Sequence, residues 1–380
     1  MTNQTSSAGI DRKAGLALII LFIGLIWLPT LDSLWHLDRR PPQSERRKLA
    51  AFPVFNSWNG TGHYLAGLEN YFDDHFGFRN QLVHWNNHWK FKWFNESPVD
   101  MALQGRDGWL YWAAGDMLAN YTQPATVNEQ ELKDWQKLLE TRRDWLAARG
   151  AKYVFVIAPD KHSVYPEYLP DWVVTNGQPS KLDQILAYVR SHSTVNIVDL
   201  RPALIAAKSA GPVYLKTDTH WNNFGAFIGC QQLVRSLPGM TPLPLDDFDR
   251  TAVVERGGDL AVCFGQQDEI HETQEVNFTP RPPLAPLEQT CAGSMGEGTG
   301  TGAVVTRNPS ATGKIVLFRD SFAEKWVQFL GYHFREAVYF RQTAWKKSFL
   351  ESEKPDVVVD EMVERLFGEQ EPRQLLASDK

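Results

Sequence analysis

The chain has 380 residues, with 39 Lys and Arg against 45 Asp and Glu, so its formal net charge is −6. Apolar residues make up 43% and charged residues 22%, which excludes a disordered or fibrous chain. The mild acidity argues against nucleic-acid binding, which draws on a basic patch or stripe, and no nucleic-acid partner is expected. Aromatic residues are the one excess, at 14 Trp, 11 Tyr and 21 Phe. In the plain reading they fill a core; they also suit a groove that stacks on sugar rings.

Residues 14–31 are apolar apart from Gly15, Gly24, Pro29 and Thr30. At 1.5 Å per residue this stretch reaches about 27 Å, enough for a thin bilayer. No other segment is apolar enough to span, so a multi-span membrane protein is excluded. The pattern is that of a signal peptide or an uncleaved signal anchor. No small-x-small cleavage site follows Pro29, which favours retention. Arg12 and Lys13 flank the N-terminal side and predict a cytoplasmic tail over 1–13, with the body in the periplasm. Arg39, Arg40, Arg46, Arg47 and Lys48 count the other way, but they lie farther out. Residues 32–60 read as a polar, basic linker containing Pro41 and Pro42.

From about 62 to 95, Tyr64, Leu68, Tyr71, Phe72 and Phe76 recur at helical spacing, predicting one or two helices. Gly105–Tyr111 reads as a turn leading into a strand. Leu132, Trp135, Leu138, Leu139, Trp145 and Leu146 form one helix face, closed by Gly150. Residues 152–158 are a buried strand. A helix through Leu182, Ile185, Leu186 and Val189 begins at a Ser180 cap. A strand over 195–199 and a helix through Phe224, Phe227 and Leu233 follow. Residues 314–318, 336–340 and the segment from Pro355 are further strands. Strands of mostly apolar residues alternating with helices predict a mostly parallel sheet covered on both faces. Residues 240–312 break the rhythm with Pro280, Pro282, Pro283, Pro286 and a Gly-rich run over 293–302, and read as an irregular insertion of loops and short strands. Residues 369–380 read as a C-terminal tail.

Catalytic groups in such a sheet belong on loops beyond the carboxyl ends of strands. In Lys216-Thr217-Asp218-Thr219-His220-Trp221-Asn222, extended backbone turns Asp218 and His220 the same way. A carboxylate beside an imidazole fixes its tautomer and supports its charge. The plain alternative is a helix entry capped by Asn222, with both residues on the surface. In Lys314–Phe322 an apolar strand ends in Asp320-Ser321 at a helix start, where free N–H groups can stabilise an oxyanion; the alternative is an ordinary N-cap. The two segments together supply a nucleophile, a base and an orienter. Gly-x-Ser-x-Gly is absent, so an ordinary α/β-hydrolase is not expected.

Asp218-Thr219-His220-Trp221-Asn222, followed about a hundred residues later by Asp320-Ser321-Phe322, resembles the alginate O-acetyltransferase family of the AlgJ/AlgX type. Softer matches lie at Tyr71–Arg79, Gly105–Tyr111, Pro159-Asp160-Lys161 with Tyr165-Pro166, Gly258-Asp259-Leu260, and Pro355–Arg365. The resemblance implies an SGNH-hydrolase-like three-layer α/β sandwich over 61–368. It implies Ser321 as nucleophile, His220 as base and acid, and Asp218 as orienter, with an acetyl-serine intermediate passed to an exopolysaccharide hydroxyl, of alginate or another polymer such as cellulose. It further implies a membrane-bound O-acyltransferase as acetyl source and a polysaccharide synthesis and export complex as partners. No cofactor is implied. An acetylesterase or a non-catalytic scaffold are the rival functions.

Arg319 stands where many SGNH proteins carry Gly, which leaves Ser321 N–H as the nameable oxyanion donor. Lys161 and Tyr165, past the strand over 152–158, and Trp221, Asn222 and Arg319 are candidate substrate-binding residues; for Lys161, which could orient a substrate or a catalytic loop, the alternative is a surface lysine beside a proline turn. Asp74, His75 and Arg79 read as a buried ion-pair network. His84 and His88 share a helix face, but Trp85 stands where a His-Glu-x-x-His metal motif needs Glu, and no metal is expected. Cys263 and Cys291 could pair across about 29 residues, a bridge worth about 3–4 kcal/mol; the alternative is free thiols. Cys230 reads as a buried thiol. No further all-β segment follows the catalytic domain, so polymer binding is expected to rest on its own groove or on partners.

Overall fold

The computed structural model describes residues 12–39, 48–55, 61–94, 96–292 and 303–379. They form two compact units. One comprises the described residues before Val99 together with Val262–Gln266, and the other comprises Val99–Ala261 and the chain from Gln267 onward.

In the first unit, Arg12–Trp35 is a 24-residue helix of mean hydropathy 2.4, the one helix among the described residues long and apolar enough to cross a membrane. Its end is tied to the next helices: Asp32 Oδ2 accepts the Phe78 N–H at 2.8 Å, and Asp38 Oδ2 accepts the Gln81 N–H at 3.1 Å. Gly77 approaches Pro29 so closely that a Cβ there would fall 2.0 Å from the Pro29 carbonyl oxygen, so only glycine fits. Helices Thr61–His75 and Arg79–Trp89 follow. Asp74 is buried, accepts the Ala50 N–H at 2.7 Å and lies 3.7 Å from Arg79. His75 is exposed and stacks on Tyr71, outside the network expected for it.

Among the described residues the second unit holds eleven strands: β1 (Ala102–Gln104), β2 (Leu110–Trp112), β3 (Lys152–Ala158), β4 (Ile197–Asp199), β5 (Phe248–Arg256), β6 (His271–Pro280), β7 (Glu288–Ala292), β8 (Ala303–Arg307), β9 (Lys314–Phe318), β10 (Glu336–Phe340) and β11 (Val357–Val363). Seven of them form the main sheet in the order β4-β3-β11-β9-β10-β8-β7. The run from β4 to β10 is parallel, while β8 and β7 join antiparallel. Alternation along β3 divides the core. Tyr153, Phe155 and Ile157 pack with Trp135, Leu139 and Phe367 on one face, while Val154, Val156 and Ala158 pack with Trp221, Phe227 and Trp326 on the other. Both faces are covered, which gives the expected three-layer sandwich.

Local signals set the helix ends. Ser180 and Asp183 form a capping box that starts Lys181–His192. Gly150, at φ 76°, lets the chain leave helix Glu129–Ala147.

Two boundaries differ from the sequence reading. The described part of the insertion over 240–312 holds longer strands than expected: β5 and β6 pair as an antiparallel ribbon, and β7 and β8 widen the main sheet. β5, largely exposed and rich in charged residues, lacks the apolar alternation that announces a half-buried strand. The expected tail is also structured. Pro372–Ser378 is helical, and Asp379 accepts two bonds from the buried Arg142 guanidinium, at 2.9 and 2.7 Å. Arg142 also donates to Asp360 at 2.7 Å, so one cation joins helix Glu129–Ala147, β11 and the C-terminal segment.

Candidate active site

Ser321 follows β9 at the carboxyl edge of the parallel strands. It leads into a 3-10 turn, Phe322–Trp326, and its side chain does not cap that turn. Asp320 takes the local bonds instead, with Oδ1 accepting the Phe322 N–H at 2.8 Å and Oδ2 the Val363 N–H at 2.6 Å. The hydroxyl is therefore available for chemistry. His220 Nε2 lies 2.8 Å from Ser321 Oγ, and His220 Nδ1 lies 2.6 Å from Asp218 Oδ1. With Nδ1–H donating to the carboxylate, Nε2 is the acceptor for the serine proton.

A tight loop presents Asp218 and His220. Tyr214 and Trp221 form an isolated bridge, and the Leu215 N–H donates to the His220 carbonyl at 3.3 Å. Between them, the buried Glu272 of β6 accepts the Thr217 N–H and hydroxyl, both at 2.8 Å. Asp218 Oδ1 also accepts the His220 N–H at 2.9 Å, and Oδ2 accepts the Asp259 N–H at 2.9 Å. A Cβ on Gly258 would meet Asp218 Cβ at 2.4 Å, so this approach requires glycine. Burial would raise the Asp218 pKa, but the His220 bond and charge, with the two backbone N–H groups, outweigh it and hold the carboxyl well below the usual range.

A second carboxylate stands behind the first. Asp259 accepts the Thr219 N–H and hydroxyl, both at 2.7 Å, and its Oδ2 lies 3.9 Å from His220 Nδ1. The Gly258-Asp259-Leu260 motif marks the position in the sequence; its proximity to His220 is visible only once the loops are folded. Glu272 carries no such motif and was missed.

The five candidate substrate-binding residues are buried: Lys161, Tyr165, Trp221, Asn222 and Arg319 are all 0–5% exposed. Trp221 Nε1 donates to the Phe322 carbonyl at 3.0 Å, and Asn222 caps helix Asn223–Ser236 through the Gly225 N–H at 2.8 Å. The Tyr165 hydroxyl accepts the Val213 N–H, and Arg319 donates to the Asp320 carbonyl. Lys161 Nζ donates to the carbonyls of Leu110 at 2.6 Å and Lys216 at 2.9 Å. Burial pushes its pKa down to about 7, against the pull of Asp218, Glu272 and Asp259. Through these bonds Lys161, Trp221, Asn222 and Arg319 brace the segments that carry Asp218, His220 and Ser321.

His84 Nδ1 lies 3.1 Å from the Gly265 carbonyl, and His88 Nδ1 3.0 Å from Gln266 Oε1. Cys230 is buried, which pushes its thiol up. Cys263 is buried too; the side chain of Cys291, its expected partner, lies outside the described residues.

A family model described as "SGNH hydrolase-like domain, acetyltransferase AlgX" matches residues 102–339. Over 240 residues the chain is 34% identical to "Probable alginate O-acetylase AlgJ" of Pseudomonas syringae pv. tomato, covering 62% of this chain and 55% of the relative. A Pseudomonas fluorescens protein of the same name is 32% identical over 183 residues, 48% of this chain and 44% of that one. The chain spans about half the length of the curated relatives it matches. Among solved structures, "Structure of Bacillus cereus PatB1 with sulfonyl adduct" aligns over 72% of this chain and 97% of its own, with a TM-score of 0.54 and 16% identity, a likeness of fold alone. Since the matched span takes in more than half of the residues and contains Asp218, His220, Asp259 and Ser321, the chain belongs to the AlgX-type family of SGNH hydrolase-like acetyltransferases.

Proposed function

We propose that this protein is a serine-dependent O-acetyltransferase that moves acetyl groups onto hydroxyls of an exopolysaccharide. The observation that carries the reading is the continuous relay Asp218–His220–Ser321 at the sheet's carboxyl edge, inside the family match. The relatives' name, alginate O-acetylase, supports a polysaccharide acceptor.

In the first half-reaction Ser321 Oγ attacks the acetyl carbonyl of a donor ester while His220 Nε2 takes the hydroxyl proton. The carbonyl oxygen carries the negative charge, and the Ser321 N–H faces it as donor. Collapse breaks the ester bond, and His220 returns its proton to the departing alcohol oxygen. In the second half-reaction an acceptor hydroxyl gives its proton to Nε2 and attacks acetyl-Ser321. The new ester forms, the bond to Oγ breaks, and the proton goes back to Oγ. Asp218 holds the Nδ1–H tautomer and supports the transient imidazolium.

The helix Arg12–Trp35 would anchor the protein in the inner membrane with the catalytic unit in the periplasm, near a membrane-bound acyltransferase that supplies acetyl groups and a polymer export complex. Acetyl transfer from a chromogenic acetyl ester to oligosaccharides, read by mass spectrometry, tests the activity. Wild type should acetylate the sugar and Ser321→Ala should not; turnover to water alone, under every acceptor tried, would replace the transferase reading with an esterase.

A further inference from the structure

An open groove of ≈ 980 Å³ lies past the ends of β3, β4 and β11. Arg365 lines it, and the Arg365 guanidinium also lies 5.4 Å from the ring of Phe322, the residue after the candidate nucleophile. Arg365 is thus the residue that connects the groove to the segment carrying Ser321. Six carboxylates line the groove: Asp116, Asp160, Asp183, Asp199, Glu364 and Glu369. Three cations face them, and each is taken. Lys181 pairs with Glu131 at 2.6 Å, Arg201 with Asp199 and Asp183 at 2.8 Å, and Arg365 with Asp160. Burial and the neighbouring Asp160 push Glu364 up to about 7, against Arg201. Even with that group neutral, five carboxylates stand against three engaged cations. A polyanion entering here meets repulsion and no unpaired donor charge.

The second observation is His162. It is 7% exposed, lines the groove and packs edge-on against Tyr121 at 4.6 Å between ring centroids. Among the described residues its ring nitrogens have no hydrogen-bond partner, although the residue is more than nine-tenths buried. Burial lowers its pKa, so the imidazole is neutral and offers one donor and one acceptor, the pair a sugar hydroxyl can satisfy.

We infer that this groove binds a neutral, hydroxyl-rich stretch of the acceptor polysaccharide, with His162 as its polar contact, and that it discriminates against uronate chains. The inference rests on the acetyltransferase reading for the identity of its ligand. Binding is measured without turnover, on full-length Ser321→Ala protein in detergent, with a neutral gluco-oligosaccharide and an oligomannuronate of matched length. The neutral chain should bind more tightly. His162→Phe, which keeps ring and packing, should weaken it about tenfold, the cost of one buried hydrogen bond. Ile205→Trp, at a 48% exposed lining position, should block it sterically. The rim pair Asp116→Lys and Glu369→Lys should raise oligomannuronate affinity about tenfold. Equal binding of both chains to the unmodified groove, or unchanged neutral binding in Ile205→Trp, would overturn the proposal. Acetyl transfer by wild type without groove binding would sink this inference alone, whereas groove binding without any transfer would sink only the enzymatic reading.

A different observation carries a second inference, within the membrane-proximal unit. Trp85, Trp89 and Trp93 are 49%, 52% and 76% exposed, while His84 and Asn87 of the same segment are buried. Helix Arg79–Trp89 and the turn after it thus point tryptophans outward and polar groups inward. The Asp32–Phe78 and Asp38–Gln81 bonds place the start of that helix at the end of Arg12–Trp35. We propose that the Trp85–Trp93 face lies in the bilayer's interfacial layer, where amphipathic indole rings are favoured. In proteoliposomes with brominated lipid, Trp85→Phe/Trp89→Phe/Trp93→Phe should remove emission that the bromines quench in wild type. If the emission lost by that variant is unquenched in wild type, the face is not in lipid.

Discussion

Replacing Asp218 by alanine removes the carboxylate 2.6 Å from His220 Nδ1 but leaves Asp259 Oδ2 at 3.9 Å and Thr219 Oγ1 at 3.1 Å. A charge-assisted hydrogen bond contributes about 1.5–3 kcal/mol, or about 10- to 150-fold in rate. At an effective dielectric of about 20, a carboxylate attracts the imidazolium by about 6 kcal/mol at 2.6 Å and about 4 kcal/mol at 3.9 Å. Much of the electrostatic support therefore survives the first substitution. Asp218→Ala should slow acetyl transfer about 100-fold, less than loss of the nucleophile. Asp259→Asn should cost only about threefold in wild type, because Asp218 already holds the ring. In the Asp218→Ala background the same change should cost about tenfold or more. Transfer rates for the four proteins close a double-mutant cycle, with thermal melts to check that the loop remains folded. An equal factor for Asp259→Asn in both backgrounds would refute the idea that the second carboxylate backs up the first.

Lys161 has a folded pKa of about 7 against an ordinary 10.5, so between those values the unfolded chain binds the extra proton. The wild-type advantage in unfolding free energy over Lys161→Met should rise with pH across that window, by about 1.4 kcal/mol per unit; an advantage that falls with pH would contradict the burial. Glu364 goes the other way: its folded value of about 7 exceeds its ordinary 4.5, so stability falls as pH rises between them. Glu364→Gln should flatten that fall in pH-dependent melts. Arg142→Met strands the carboxylates of Asp360 and Asp379 and should cost about 3–5 kcal/mol in urea unfolding; a cost below about 1 kcal/mol would mean the C-terminal segment is not part of the folded unit.

Much of the sheet was legible because its strands are short apolar runs between capped helices. Residues 152–158, 314–318 and 336–340 read as strands and form β3, β9 and β10 with those bounds. The Asp-x-His spacing and the Asp-Ser at a strand end pointed to one pocket, and the structure brings those side chains within 2.8 Å of each other in sequence along the relay. What was hidden depends on long-range contacts. Lys161 and Trp221 read as groups for a substrate, and nothing local reveals that the carbonyls of Leu110, Lys216 and Phe322 claim them, whereas the Asn222 cap on the Gly225 N–H is local and was read as one alternative. The polar segment after residue 368 looks like a tail because its anchor, Arg142, lies 237 residues away.

Intact-mass and peptide analysis of the full chain, incubated with an acetyl ester and no sugar, tests the serine relay most directly. The account predicts one added acetyl group, mapped to Ser321, absent in His220→Ala, and discharged when an acceptor oligosaccharide is supplied. Acetyl transfer to sugar by wild type with no acetyl on Ser321, or with undiminished transfer by Ser321→Ala, would contradict it.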